Sequence, residues 1–253
     1  MLKLLKKTLS PIMTKGLAKT FMRIVSHPLT VESKFTEIYE KRIWGSEDSV
    51  SGPGSSLEYT KNLRNWLPIL FGTYSIKTIF DAPCGDFNWM RYVVKDTNIK
   101  YIGGDIVWSL IETNNSTYGG SNTSFIHIDL TKNLFPESDL MICRDFLFHC
   151  SFQHTKLVLR NFSRSKIQYL LTSTHINTEQ FKNEDISTGG SYRLIDLFAP
   201  PYCFPRDVLF RVEDWIAPYP KREMCLWTRE QIIHALKHFE NEKLLRRCPS
   251  PIA

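Results

Sequence analysis

Four aspartates close short apolar runs: Asp81 after Thr78-Ile79-Phe80, Asp105 after Tyr101-Ile102-Gly103-Gly104, Asp129 after Phe125-Ile126-His127-Ile128, and Asp145 after Leu140-Met141-Ile142-Cys143-Arg144. A strand that ends on an acid and then turns is how open α/β sheets build a nucleotide crevice, and an acid at the end of the second strand accepts hydrogen bonds from ribose hydroxyls. After the first run the chain breaks at Ala82-Pro83-Cys84-Gly85-Asp86. That turn has one glycine and two flanking acids, Asp81 and Asp86, and lacks the Gly-x-Gly-x-x-Gly that admits a pyrophosphate. It would repel phosphate and attract a sulfonium or ammonium, which argues against NAD. His149 stands four residues after Asp145. If the intervening turn is helical the two share a face, where a carboxylate and an imidazole can orient and deprotonate an acceptor hydroxyl. The plainer reading is a helix cap and a packing histidine. His175, at the end of Ile167–His175, is a second imidazole at the same edge. Ser51-Gly52-Pro53-Gly54-Ser55 offers free amides and hydroxyls that can grip a carboxylate, or is a linker.

The set Asp81-Ala82-Pro83-Cys84-Gly85-Asp86, Gly104-Asp105, Asp129-Leu130 and Asp139 to Asp145 resembles class I S-adenosylmethionine-dependent methyltransferases over roughly residues 35–233. It is most similar to bacterial members whose first loop reads Asp-x-Pro-Cys-Gly-Asp. The resemblance implies a Rossmann-like, mostly parallel sheet with helices on both faces, and S-adenosylmethionine as cofactor. It implies a binding set of Ser51, Gly52, Gly54, Ser55, Asp81, Cys84, Gly85, Asp86, Asp105, Ile106, Asp129, Leu130 and Arg144, with Asp129 beside the adenine amino group. Asp145, His149 and His175 then fall on the acceptor side. By family analogy the acceptor is a small molecule or a surface glycan, methylated on oxygen. An RNA or protein methyltransferase, and a non-catalytic module of the same fold, are the alternatives; no Asn-Pro-Pro-Tyr follows the fourth strand.

These residues need elements to hold them. Strands are expected at 78–81, 101–105, 124–130, 139–143, 167–175 and 223–227. Helices are expected at 35–42, 57–70, 89–94, 109–118 and 229–239, the last capped by Thr228. The stretch 46–56, with five serines, two glycines and a proline, is a loop placed to close over the cofactor. Prolines interleaved with aromatics at 200–205 suit a stiff acceptor wall or packing under a loop. The expected organisation is a leader (1–30), amino-terminal helices with the Gly/Ser loop (31–72), a cofactor-binding domain (73–242) and a tail (243–253).

At 253 residues one α/β domain with additions is the natural size. The net charge of +6 is unevenly placed: residues 1–30 carry Lys3, Lys6, Lys7, Lys15, Lys19 and Arg23 and no acid. The other 26 basic residues match the 26 acids, so the body lacks the footprint of a nucleic-acid partner. The leader alternates its bases with Leu2, Leu4, Leu5, Leu9, Ile12, Met13, Leu17, Phe21, Met22, Ile24 and Val25. It reads either as a segment lying on a membrane surface through residues 1–25 or as a helix packed on the domain. A cytoplasmic protein, peripheral at the inner face of the membrane in the first case, is the expectation. The six cysteines show no Cys-x-x-Cys spacing, so reduced thiols are expected rather than a zinc site or a disulfide. No metal site is assigned, although Asp145, His149 and His175 are a trio that could converge on one ion.

Overall fold

The computed structural model describes residues 30–95, 97–186, 190–241 and Cys248. Seven strands form one sheet: β1 (Thr78–Asp81), β2 (Lys100–Asp105), β3 (Thr123–His127), β4 (Leu140–Cys143), β5 (Tyr169–His175), β6 (Phe210–Glu213) and β7 (Arg222–Thr228). Their order is β3-β2-β1-β4-β5-β7-β6. Neighbours among β1–β5 pair in parallel, while β7 runs antiparallel to both β5 and β6. Because strand side chains alternate between faces, the sheet sorts its apolar residues into two cores. Ile79, Tyr101, Leu140, Ile142, Leu171 and Leu226 point to one side and Phe80, Met141, Cys143, Leu170 and Trp227 to the other.

Helices cover both faces. The first core is closed by α2 (Lys61–Thr73), α3 (Met90–Val94) and α4 (Trp108–Tyr118) through Leu63, Leu67, Met90, Val93 and Ile111. The second is closed by α5 (Phe152–Arg164) and α6 (Arg229–Glu240) through Val158, Leu159, Phe162, Ile232 and Phe239. A further helix, α1 (Val31–Glu40), precedes these. Thr30 caps it, with its Oγ1 accepting from the Ser33 amide at 3.1 Å. With β1 and β4 adjacent but connected in opposite directions, the carboxyl ends of β1, β2, β3 and β4 open onto one crevice at the point where the strand order reverses.

Several expectations move. The helix expected at 57–70 begins only at Lys61. The third strand stops at His127, and Ile128–Leu130 continue as a turn in which the Asn133 side chain accepts from the Asp129 amide. Asp145 and His149 do not share a helical face, because Asp145 sits at φ 55° and only one 3-10 turn, Leu147–His149, follows. Two elements, α5 and β6, lie outside the expected set. The cysteines are a correction as well: Cys203 and Cys248 form a disulfide across 45 residues, while Cys84, Cys143, Cys150 and Cys225 are free and buried. Cys–x–x–Cys spacing is silent about a pair so far apart in sequence. The leader through residue 29, and the tail apart from Cys248, lie outside the described residues.

Candidate active site

The first loop is built around two tight approaches. Asp81 is buried at the end of β1 and accepts from the Tyr101 hydroxyl at 2.8 Å. Burial raises its carboxyl to about 7, against the pull of Tyr101 and Arg144. Gly85 has φ 55°, and a Cβ there would collide with Ser51 Oγ. Both the left-handed backbone and the contact call for glycine. Asp86 turns away from the cavity and fastens the Ser/Gly loop. Its carboxylate accepts from Ser49 Oγ at 2.9 Å and the Val50 amide at 2.8 Å, while its own amide donates to Ser51 Oγ at 3.0 Å. Asn88 Nδ2 adds a bond to the Ser55 carbonyl at 3.1 Å. The loop therefore lies against the first turn as one unit.

At the end of β2 the Asp105 carboxylate receives the Gly85 amide on Oδ2 at 3.2 Å and the Val107 amide on Oδ1 at 3.1 Å. Burial raises its pKa, opposed by these amides. The Ile106 amide acts on the same carboxylate, and since a carboxylate has about four acceptor sites, one remains for a ligand hydroxyl. Asp129, beyond β3, is more occupied: Oδ1 accepts from Thr131 N at 2.9 Å and Thr131 Oγ1 at 2.6 Å, and Oδ2 pairs with Lys132 at 2.8 Å. Burial pushes this carboxyl up, but Lys132 and Thr131 outweigh it and hold it low.

The end of β4 is ionic. Arg144 is buried and grips Asp214 in two bonds, Nε–Oδ2 at 2.9 Å and Nη2–Oδ1 at 3.0 Å. Arg222, at the start of β7, pairs with Asp145 Oδ1 at 2.9 Å and donates from Nε to the Asp214 carbonyl at 2.8 Å. The rings of Tyr59 and Trp89 lie 5.7 and 5.4 Å from the Arg144 guanidinium. Burial alone would raise Asp145, but Arg144 and Arg222 together hold it below the usual carboxylate range. It is an anion at neutral pH. Gly54 fits against this cluster, where a Cβ would lie 2.7 Å from Asp145 Oδ2 and 3.2 Å from Arg222 Nη2.

The two histidines differ in what their nitrogens do. His149 Nδ1 donates to the Ser191 carbonyl at 3.1 Å, which leaves the Nε2 lone pair free. Its ring stacks on Trp44 at 4.7 Å and 22°. Burial lowers its pKa, with Ser191 and Asp145 pulling the other way, so the neutral imidazole dominates at pH 7. His175 Nδ1 accepts from the Ile195 amide at 3.2 Å and Nε2 meets the Tyr192 hydroxyl at 3.0 Å. Both of its nitrogens are engaged, and burial, then Arg222, push its pKa down to about 4.

One cavity of about 1220 Å³, counting its open mouth, connects these parts. It is lined by Ser51, Ser55, Asp81, Cys84, Gly85, Asp105, Ile106, Asp129, Leu130, Arg144, Asp145 and His149. Gly52, Gly54, Asp86 and His175 stand outside the lining; His175 borders two separate clefts instead. Val31, Phe35, Ile38 and Tyr39 of α1, with Trp44, roof the cavity. Three participants lie beyond the sequence reading: Asp214, Arg222 and the roof itself. Arg222 left a faint signal as a charge opening an apolar strand, whereas nothing local links Asp214 to Arg144, 70 residues away. Among the described residues no group of three or more His, Cys, Asp or Glu side chains could hold a metal ion.

No family model and no curated protein matches the chain. Solved structures do match in fold. Magnesium protoporphyrin IX methyltransferase from Synechocystis PCC 6803, crystallised with bound SAM, superposes with a TM-score of 0.55 at 12% identity, covering 81% of this chain and 99% of that one. The methyltransferase domain of bacterial CtHen1 gives 0.50 at 13% identity, covering 67% and 99%. Human N-acetylserotonin methyltransferase in complex with SAM gives 0.50 at 13%, covering 78% and 59%. The chain has the class I methyltransferase fold. In that methyltransferase fold the sheet order places the crevice at the ends of β1, β2 and β4, where the cavity lies.

Proposed function

We propose that the protein transfers a methyl group from S-adenosylmethionine to a hydroxyl of a small-molecule or carbohydrate acceptor. One observation carries this reading: a single cavity joins Gly85 and Asp105, suited to a nucleoside, to an ionised Asp145 and a neutral His149 with a free Nε2. The residues fit the cofactor. Asp105 keeps an acceptor site for a ribose hydroxyl, Gly85 lets the first loop pass close against Ser51, and Ser51 and Ser55 present polar groups to the same cavity. When bound, the donor supplies an activated methyl on a cationic sulfur, and the chain's task is to align and desolvate the acceptor. Asp145 accepts from the acceptor hydroxyl or orients it, and His149 Nε2 takes its proton, a division made possible by their divergent environments. The bacterial Asp-x-Pro-Cys-Gly-Asp group remains the motif's nearest analogy and favours a glycan; the aromatic roof of Phe35, Tyr39 and Trp44 gives a sugar or a planar ring a surface to pack on.

Titration calorimetry tests the cofactor. S-adenosylmethionine and its demethylated product should bind, and NAD and ATP should not. Asp105→Ala should weaken binding by about 1–3 kcal/mol, the cost of leaving hydrogen bonds to a charged group unmade. A folded mutant with unaltered affinity would remove the assignment.

A further inference from the structure

A base that works through one ring nitrogen depends on the orientation of its ring as much as on its charge. His149 Nδ1 donates to the Ser191 carbonyl at 3.1 Å, and the Gly190 amide donates to the His149 carbonyl at 3.1 Å. One ring hydrogen bond does not fix the plane of an imidazole, because rotation about χ2 is broad and roughly two-fold. Half a turn would put a carbon where Nδ1 stands and aim Nε2 elsewhere. A second neighbour sets the plane. The Trp44 indole lies 4.7 Å from the imidazole at 22°, face on face, while Phe148 stands across it at 4.7 Å and 62°.

Trp44 is itself held. Phe35 of α1 meets its ring edge-on at 5.8 Å. The turn that carries it is closed by the Gly45 amide on the Arg42 carbonyl at 3.0 Å. Just beyond, the Ser46 amide donates to the Ser49 carbonyl at 2.7 Å, and Ser49 Oγ donates to Asp86 of the first loop at 2.9 Å. Gly52, at φ 103°, passes so close that a Cβ there would lie 3.2 Å from the Trp44 carbonyl oxygen. A continuous run of contacts therefore leads from the first loop through the Ser/Gly loop and Trp44 to His149.

We propose that Trp44 is a positioning residue for His149, its indole fixing the imidazole plane so that Nε2 stays turned to the acceptor, with the Ser/Gly loop holding the indole in place. The inference rests on the methyl-transfer reading, in which His149 is the base. Trp44 acts through the ring it covers and not on the reacting atoms. A nitrogen lone pair takes a proton along one direction in the ring plane, so a misplaced plane lowers rate and leaves binding alone.

Nitrogen NMR of the full chain at about pH 8, where an ordinary imidazole is neutral, reads the tautomer without any substrate. Wild type should show His149 as the Nδ1–H form that the Ser191 bond requires, with His149→Gln assigning the signal. Trp44→Leu keeps apolar bulk but has no flat face, and should release the ring toward the Nε2–H form. Trp44→Phe should restore the wild-type tautomer. With labelled S-adenosylmethionine and a panel of sugars and phenols, Trp44→Leu should lower kcat about tenfold or more, with KM values within about twofold. Trp44→Phe should recover kcat to within about threefold of wild type. An unchanged tautomer and kcat in a folded Trp44→Leu overturns the proposal. So does a raised KM with kcat intact, which would make Trp44 a wall for the acceptor. Should Trp44→Leu fail to fold, wild type alone decides: the indole ring current must move the His149 ring protons upfield, and ordinary shifts mean that the rings do not stack. Spectra as expected, with no turnover of any panel member by wild type, would uphold the contact and count against the methyl-transfer reading instead.

Discussion

At the scale of single residues, hydrogen bonding separates two histidines that sequence left equivalent. His149 gives Nδ1–H to a carbonyl and keeps Nε2 as a base, whereas His175 has both nitrogens engaged. His149→Ala should therefore cut turnover by about 10²–10⁴-fold, the usual worth of general-base assistance, with cofactor affinity nearly unchanged. Its lowered pKa fixes the direction of the pH profile: the rate should be level through neutrality and fall only on the acid side of the ordinary histidine value of about 6.5. A steady-state profile over that range checks it, and a rate that still rises between pH 7 and 8 contradicts it. His175 makes a stability prediction instead. Its folded pKa of about 4 lies below the unfolded value, so the unfolded chain binds more protons in between. Stability should be complete above about pH 6.5 and decline as pH falls toward 4. Denaturant midpoints measured across that window should fall less steeply in His175→Gln; parallel curves would mean that another group controls the acid limb.

At the scale of elements, the sequence was most legible where pattern is local. The strand-end acids, the Pro-Cys-Gly turn and the Thr228 cap, whose Oγ1 accepts from the Gln231 amide at 3.2 Å, follow from neighbours in the chain. β6 was not legible, because Phe210-Arg211-Val212-Glu213 is four residues long and buries only Val212 on an edge. α5 did carry a signal: Ser151 caps it, and Val158, Leu159 and Phe162 repeat at helical spacing. The Ser/Gly loop, expected to close over the cofactor, lies against the first turn, and its fastening was hidden from the sequence, since the bonds of Asp86 to Ser49 and Val50 join residues more than 30 apart. This unit yields a prediction. Gly85→Ala must hold a non-glycine residue at φ 55° and push Ser51 away. The expected cost is about 1–2 kcal/mol of stability, with a loss of cofactor affinity that exceeds it in effect. Urea unfolding and calorimetry on the same variant separate the two, and a native-like result in both would show that the turn adapts.

At the scale of the whole molecule, what sequence could not show is long-range: Arg144 with Asp214, Asp145 with Arg222, and the second half of the chain returning through β7 to hold the end of β4. Burial selects these partners. A guanidinium at 5% exposure needs a carboxylate whatever the sequence distance, and only the folded sheet says which one. The same holds for Cys203 and Cys248, where spacing suggested free thiols and the fold brings the pair together. Their bond closes a loop of 45 residues and ties the tail to the segment packed under Trp227 through Phe204. Loop closure on that length limits the unfolded chain by about 4 kcal/mol at most. Reduction, or the double change Cys203→Ser, Cys248→Ser, should therefore lower the denaturant midpoint by an amount worth about 2–4 kcal/mol, while leaving cofactor binding intact, because neither cysteine lines the cavity. In a reducing compartment the pair opens and that contribution is absent. Alkylation of the denatured, unreduced protein followed by mass spectrometry decides whether the bond forms: four labels, on Cys84, Cys143, Cys150 and Cys225, are expected. Six labels on protein purified under oxidising conditions would show that the tail is not tied, and the midpoint should then be indifferent to reductant.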